Sequence, residues 1–291
     1  MITLKNDRLT VQISAKGAEL QSIKNNNDEL EYLWQGDPDF WGRKAPVLFP
    51  IVGRLKDDEY KYKGNTYSLN QHGFARDLRF QIEEQTDTTA RLTTYSTEET
   101  KAYYPFDFQL SLTYTLEKNT INVSYLVKNT HPSEDLYFSI GGHPGFNIPM
   151  TDDTTFEDYY LSFLPREARR KIPLVGPYLD LDNKTLAQTN TEIDLRRPLF
   201  DHDALIYETK GKNIFSISSE KTTRSVSLTF ENFPYTGIWS PPKTEAPFVC
   251  IEPWFGIADA IDFAGQLNDK LGIQHLKGTE SFSANYTISI T

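Results

Sequence analysis

Strict alternation of apolar and polar residues between Pro105 and Asn129 constrains the fold of this chain more than any other feature. Apolar side chains occupy every second position in two runs, residues 106–116 and 121–127. Successive side chains of a β-strand point to opposite faces, so a period of two predicts strands with one buried face. The polar residues 117–120 between the two runs predict the turn of a β-hairpin.

Shorter alternating or apolar runs recur along the chain, and turn-rich segments separate them. They include "LTVQIS", "LRFQIEE", "ARLTTYS", "DALIYE", "NIFSISS", "SVSLTF", "FVCIEPW" and "SFSANYTISI". Helical patterns are few, and only "PREARRK" and "AIDFAGQLNDKLG" predict short helices. Many strands without alternating helices indicate an all-β, antiparallel architecture. Because no linker or repeat divides the sequence, we predict one large β-sandwich domain spanning residues 1–291.

The composition excludes several classes of protein. A net charge of −10 and a pI near 5.1 argue against a nucleic-acid partner, because phosphate binding needs clustered Lys and Arg. No apolar run approaches the roughly 20 residues that a membrane helix needs, and no secretory signal is recognisable. The single cysteine, Cys250, leaves no partner for an intrachain disulfide. We therefore expect a cytoplasmic protein that is not bound to membranes.

Two of the five histidines follow apolar strands and lie beside glycine. His72 occurs in "LNQHGFARD" and His143 in "FSIGGHPGFNIP". Glycine lets the backbone approach a ligand closely, so both imidazoles are candidates for a binding or proton-transfer site. Each of them taken singly is better explained as a hydrogen-bonded structural imidazole.

A carboxylate near the start of the last strand strengthens the functional interpretation. The even positions from 282 to 290 are apolar and the odd positions are polar, and Glu280 has the parity of the apolar set. If the strand extends back to residue 280, the carboxylate points inward, where it would suit a general acid or base. If the strand begins after Glu280, the side chain is solvated.

Further candidates share strand parity with apolar residues. Glu252 in "CIEPWFGIAD" is either a buried structural acid or part of a site, and Trp254 is either core or a platform for a sugar ring. Asp201 and Asp203 in "LFDHDALIYE" both have the parity of the strand that follows them. Arg54 closes an apolar segment, where it would meet a hydroxyl or a phosphate, or remain at the surface.

The sequence contains no motif for several other kinds of functional site. The chain has no phosphate-binding glycine loop, no dinucleotide fingerprint and no G-x-S-x-G elbow. No His-x-x-x-His or Cys-x-x-Cys spacing indicates zinc, so we expect neither a metal nor a cofactor. The residues leave two alternatives, a proton-transfer site for a polar neutral ligand or a binding cleft without catalysis.

Several segments together resemble the aldose 1-epimerase (galactose mutarotase-like) family, and most closely its LacX-type branch. The matching segments are "ISAKGAELQSIK", "GRLKDDEYKYKGNTYSLNQHGFARD", "FSIGGHPGFNIP", "FDHDALIY", "CIEPWFGIAD" and "HLKGTESFSANYTISI". They occur in the family's order, and their order and spacing carry the resemblance. The resemblance implies a β-supersandwich and cofactor-free interconversion of the α and β anomers of an aldose.

The resemblance also implies roles for the candidate residues. His143 would be the general acid that protonates the ring oxygen, Glu280 the general base at the anomeric hydroxyl, and His72 a second imidazole that positions the ring oxygen. The ring oxygen and the anomeric oxygen are bonded to one carbon, so an acid and a base must flank it. Arg54 would bind ring hydroxyls, together with one of the two aspartates. The galactose mutarotase pattern favours Asp201 and the LacX-like pattern favours Asp203, and we prefer Asp203.

Some segments of the sequence differ from the galactose mutarotase pattern, and these differences bear on which sugar the protein would bind. The segment "HGFAR" is like that of the hexose-6-phosphate mutarotases, where an arginine meets a phosphate, and here it provides Arg76. Arg76 either contacts a phosphate or pairs with Asp77 at the surface. The expected ligand is therefore a small sugar or a sugar phosphate. A non-catalytic carbohydrate-binding protein on the same fold is the alternative function, and glycoside hydrolysis by Glu252 and Glu280 would leave the histidines without a role.

Overall fold

The computed structural model describes all residues, 1–291, and consists mainly of antiparallel β-strands. In chain order, the strands are β1 Ile2–Lys5, β2 Leu9–Ile13, β3 Leu20–Asn25, β4 Val47–Leu48, β5 Glu59–Tyr62, β6 Asn65–Ser68, β7 Gln81–Gln85, β8 Thr89–Tyr95, β9 Phe108–Glu117, β10 Thr120–Asn129, β11 Leu136–Phe138, β12 Ile140–Gly142, β13 Gly145–Asn147, β14 Tyr159–Leu164, β15 Arg169–Ile172, β16 Leu174–Val175, β17 Tyr178–Leu179, β18 Thr185–Ala187, β19 Ile193–Asp194, β20 Leu205–Glu208, β21 Lys212–Ser219, β22 Val226–Glu231, β23 Tyr235–Trp239, β24 Phe248–Phe255, β25 Gln274–Leu276 and β26 Ser281–Ile290. The all-β, antiparallel prediction is confirmed.

Two large sheets contain most of the strands. The first has nine strands in the order β19-β14-β21-β22-β26-β10-β9-β8-β7. The second has eight, of which seven follow the order β18-β15-β20-β23-β24-β12-β4, while β13 pairs separately with β24. A three-stranded sheet, β1-β2-β3, and three two-stranded ribbons complete the fold.

The alternating segment forms the predicted hairpin at the centre of the nine-stranded sheet. β9 and β10 pair along their whole length, with Leu116 opposite Ile121 and Leu110 opposite Val127. Lys118, in the turn, has a φ of +54°, which the two-residue connection requires. Ile121, Val123, Tyr125 and Val127 of β10 are buried and alternate with residues that are partly exposed, as the pleat of a strand demands.

The hydrophobic core lies between the two large sheets. A single cluster of 60 buried residues draws side chains from both of them. Phe255 of β24 packs against Phe282 of β26, with the ring centroids 4.9 Å apart, and Phe163 of β14 packs against Tyr207 of β20. These contacts across the core make the arrangement a β-sandwich, because each sheet buries one face against the other.

Helices are shorter than the sequence predicts. The only α-helix is α1, Glu98–Lys101, and the five 3₁₀ turns are Lys56–Asp58, Ala75–Asp77, Phe156–Asp158, Arg197–Phe200 and Leu267–Asp269. None of them has the length and hydropathy that a bilayer-spanning helix requires.

Both helical predictions are therefore wrong over most of their length. The segment "PREARRK" leads into β15, where Arg169 is buried and donates a hydrogen bond to Asn213 Oδ1 over 2.9 Å. Pairing of β15 with strands on both sides outweighs the local helical preference. In the second segment, Gly265 has a φ of +87°, which no α-helix accommodates, and only the turn Leu267–Asp269 remains helical.

Candidate functional site

A cavity of about 350 Å³ opens on the eight-stranded sheet. Seven of the nine predicted site residues line it: Arg54, His72, Arg76, His143, Asp203, Glu252 and Trp254. These residues come from five separate segments of the chain. The cavity has the size of a small-molecule site, and its wall combines aromatic and charged side chains.

His143 and Glu252 form a buried pair in this cavity. His143 follows the end of β12, and Glu252 lies on the neighbouring strand β24, so the antiparallel pairing of these strands brings the two side chains together. His143 Nε2 lies 3.2 Å from Glu252 Oε2, and the two residues are only 7% and 1% exposed. An imidazole and a carboxyl group at this distance can share or exchange a proton.

Burial displaces the pKa of both groups towards their neutral forms. It lowers the pKa of His143 to about 3. It raises the pKa of the Glu252 carboxyl well above its usual value, and the negative charge of Asp203 adds to that shift. At neutral pH the pair therefore holds one transferable proton in addition to the one on the neutral imidazole.

His72 presents a hydrogen-bond donor to the cavity. The backbone N–H of Gly53 donates to His72 Nδ1 over 3.1 Å, and burial together with nearby positive charge lowers the pKa of the ring well below its usual value. The neutral ring therefore has its proton on Nε2. Gln71 Nε2 lies 3.3 Å from that atom, while Gln71 Oε1 accepts a hydrogen bond from Arg54. With the proton of His72 on Nε2, this contact joins two donors and forms no hydrogen bond, so a sugar oxygen that accepts from His72 Nε2–H would relieve it.

The two predicted arginines lie at the same end of the cavity. Arg54 also approaches Asp58 at 3.4 Å, and Arg76 donates to the backbone oxygen of Gln71. The Nε atoms of both arginines are buried without a hydrogen-bond partner. The pairing of Arg76 with Asp77 is not observed, because Asp77 instead contacts Arg43 at 3.1 Å.

Comparisons with known proteins identify the family of the chain. A family model described as aldose 1-epimerase matches residues 1–267. The chromosomal protein LacX of Lactococcus lactis subsp. lactis is 32% identical over 298 residues, which cover 99% of both chains. The chain belongs to the aldose 1-epimerase family.

Solved structures extend the similarity to the whole fold. A galactose mutarotase related enzyme from Lactobacillus acidophilus is 42% identical, with a TM-score of 0.97 over 99% of this chain and 96% of that one. A galactose mutarotase-like protein from Lactobacillus casei ATCC 334 is 32% identical, with a TM-score of 0.92 over the full length of both chains. The family and the fold predicted from the sequence motifs are both confirmed.

In this member of the aldose 1-epimerase family, the two aspartates lie in different places. Asp203 lines the cavity in a left-handed conformation, with a φ of +72°, and its Oδ1 accepts a hydrogen bond from the backbone of Ala204. Asp201 ends a 3₁₀ turn and is not part of the cavity wall. The preference for Asp203 over Asp201 as the residue that faces the site agrees with this placement.

Glu280, in contrast, is not where the sequence prediction put it. β26 begins at Ser281, and the exposed Glu280 side chain accepts a hydrogen bond from the backbone of Lys277 over 2.9 Å. It does not line the cavity. Of the two alternatives that the sequence left open, the strand begins after Glu280 and the side chain is solvated, so the carboxylate does not point inward. The carboxylate beside His143 is that of Glu252.

The cavity wall also contains residues that the sequence did not single out, and three of them contact a predicted site residue: Gln71, Trp41 and Trp239. Trp41 stacks on the His143 ring with centroids 4.7 Å apart, and Trp239 meets that ring edge-on at 5.5 Å. Gln71 directly precedes His72 within a segment already singled out, so its position offered a signal. Trp41 lies in a segment without any strand pattern, and nothing in the sequence relates it to His143.

Trp254 reaches the cavity across Gly237. A Cβ atom on Gly237 would lie 2.3 Å from Trp254 Cη2, so only glycine leaves room for the indole.

We expect Gly237→Ala to destabilise the protein by about 1–3 kcal/mol and to displace the indole of Trp254. Urea unfolding and tryptophan fluorescence measure the two effects. Gly42→Ala is the matched control, because its added methyl group would meet no atom closer than 3.9 Å; equal stability of the two variants would contradict the prediction.

Proposed function

We propose that this protein is an aldose 1-epimerase, a mutarotase that interconverts the α and β anomers of an aldose or an aldose phosphate. The observation that supports this most directly is the buried His143–Glu252 pair, 3.2 Å apart on the wall of a sugar-sized cavity. Membership of the aldose 1-epimerase family supports the same reaction. In this proposal Glu252 takes the role that the sequence had suggested for Glu280.

The reaction needs one acid and one base at a single carbon. With the shared proton on Nε2, His143 protonates the ring oxygen while the Glu252 carboxylate removes the proton of the anomeric hydroxyl. The bond between the anomeric carbon and the ring oxygen breaks, and an open-chain aldehyde forms. After rotation about the C1–C2 bond, the reverse transfers close the ring on either face of the carbonyl. Each positioned proton transfer contributes about 10²–10⁴ to the rate, and the step draws on no cofactor.

The remaining side chains hold the sugar in place. The Nε2–H of His72 donates to the ring oxygen, Arg54 and Asp203 bind hydroxyl groups, and Trp254 packs against an apolar face of the ring. Hydroxyl groups of the bound sugar replace the water lost from the ionised pair, so the sugar favours the charged form that burial in the empty cavity disfavours.

Anomer exchange measured by NMR saturation transfer tests the proposal. The panel comprises free aldoses and their 6-phosphates, because Arg54 and Arg76 each keep a buried Nε without a partner. We expect exchange above the spontaneous rate with at least one sugar, and a loss of about 10²–10⁴ in His143→Gln, which removes the proton carrier.

Glu280→Gln provides the control, because it also introduces a glutamine but at an exposed position outside the cavity. We expect wild-type exchange from this variant. Exchange that survives His143→Gln but is lost in Glu280→Gln would overturn the assignment of both residues. Sugar binding without exchange across the whole panel would instead identify a carbohydrate-binding protein.

A further inference from the structure

Cys250, the only cysteine of the chain, lies beside the His143–Glu252 pair. Cys250 and Glu252 are two residues apart on β24, so their side chains share one face of the strand. A ring nitrogen of His143, the Cys250 sulfur and a carboxylate oxygen of Glu252 lie within 4.8 Å of one another, and all three residues are buried. Nitrogen, sulfur and oxygen donors in this combination are the ligands of zinc.

Two polar atoms of this cluster have no hydrogen-bond partner. They are Glu252 Oε2 and His143 Nδ1, in residues that are 1% and 7% exposed. A buried polar atom left in this way costs about 1–3 kcal/mol, and an ion bound to Glu252 Oε2 would offset that cost at this atom. Glu252 Oε2 and His143 Nε2 are 3.2 Å apart. Two ligand atoms that each lie about 2.0–2.2 Å from one tetrahedral ion have a similar separation.

We propose that His143, Cys250 and Glu252 form a binding site for Zn²⁺ and similar borderline-soft divalent cations, and that an ion bound there blocks the acid–base pair. Three protein ligands leave the fourth tetrahedral position open towards the cavity, where water completes the coordination. Mg²⁺ and Ca²⁺ prefer sets of oxygen ligands and would not compete. The ion occupies the lone pairs that the proposed proton transfers need, so it acts as an inhibitor.

Zn²⁺ binds the thiolate form of Cys250, the carboxylate form of Glu252 and the neutral imidazole of His143. Any proton on the thiol or on the carboxyl group passes to solvent as the ion enters. The other ionisable side chains around the ligands are Asp203 beside Glu252, and Arg76 and His72 beside His143.

Cobalt provides a spectroscopic test that does not depend on catalysis. Co²⁺ bound to a thiolate gives a charge-transfer band in the near ultraviolet, and in this chain only Cys250 can supply the thiolate. We expect the band to saturate at one Co²⁺ per chain, to disappear on addition of Zn²⁺ and to be absent in Cys250→Ser. The full-length protein is used, with the folding of each variant checked by thermal unfolding in the presence of a chelator.

Inhibition is the second measurement. We expect Zn²⁺ to inhibit anomer exchange by the wild type, a chelator to restore it, and Cys250→Ser to require a Zn²⁺ concentration more than about 100-fold higher. Absence of a cobalt band in the wild type overturns the proposal, and so does equal Zn²⁺ sensitivity of the two proteins. The cobalt measurement contains no sugar, so its outcome is separate from that of the proposed epimerase reaction, which uses two of the same residues.

Discussion

Glu252→Gln is expected to slow anomer exchange by about 10²–10⁴ and at the same time to stabilise the folded protein. Glutamine keeps the shape of the side chain but cannot remove the proton of the anomeric hydroxyl. NMR saturation transfer measures the first effect and urea unfolding the second. A catalytic group whose burial costs stability typically shows this combination, in which its replacement lowers the activity and raises the stability.

The gain in stability follows from the burial of the Glu252 carboxyl, which raises its pKa in the folded protein well above the usual value. In the unfolded chain the group ionises near pH 4.3, roughly its ordinary pKa. Folding at neutral pH must therefore take up a proton. The contribution of the protonated Glu252 carboxyl to stability is therefore fully present below its pKa in the unfolded chain. It is lost as the pH rises towards its higher pKa in the folded protein.

Since glutamine does not titrate, the variant should be more stable than the wild type by about 1–3 kcal/mol at pH 7 and by almost nothing at pH 4. Glu280→Gln, an exposed carboxyl-to-amide change, should alter the free energy of unfolding at neither pH. A Glu252→Gln protein that is less stable at pH 7 would identify the carboxylate as a structural group rather than a base.

Lys270→Met is expected to destabilise the protein by about 3–5 kcal/mol. The Lys270 ammonium forms an ion pair with Asp259 Oδ1, and both side chains are 1% exposed. Methionine fills similar space but leaves the carboxylate buried without its counter-charge. Urea unfolding at neutral pH measures the loss, and a value below about 1 kcal/mol would mean that the carboxylate finds water or another partner.

The double variant Asp259→Asn/Lys270→Met separates the buried charge from lost packing. Asparagine keeps an oxygen for the hydrogen bond that Asp259 Oδ2 accepts from the backbone of Lys56 over 2.8 Å. We expect the double variant to recover most of the stability lost by the single one. The backbone N–H of Asp259 also donates to the carbonyl of Arg54, so the single variant should weaken sugar binding as well.

Agreement between sequence and structure is best where a pattern reflects local geometry. The period of two in residues 106–127 reports which side of a pleated strand each residue occupies, and β9 and β10 form the expected hairpin. Local propensity is a weaker guide, because pairing with neighbouring strands makes β15 a strand against its helical pattern. The order and spacing of several short segments, among them the two that contain His72 and His143, identified the family without any knowledge of contacts.

By itself, then, the sequence determined the class of fold and the family and singled out the two histidines as candidates, because alternation within a strand and the order of short segments can be read without knowing any contact. Only the tertiary structure decided which carboxylate meets His143. Glu280 and Glu252 both have the parity of apolar residues, but parity predicts only the face of a strand on which a side chain lies and not its distance from His143. Because β26 begins at Ser281, Glu280 is exposed. Pairing of β12 with β24 brings Glu252 to His143 and Cys250 to both, because hydrogen bonding between strands sets neighbours that are more than 100 residues apart.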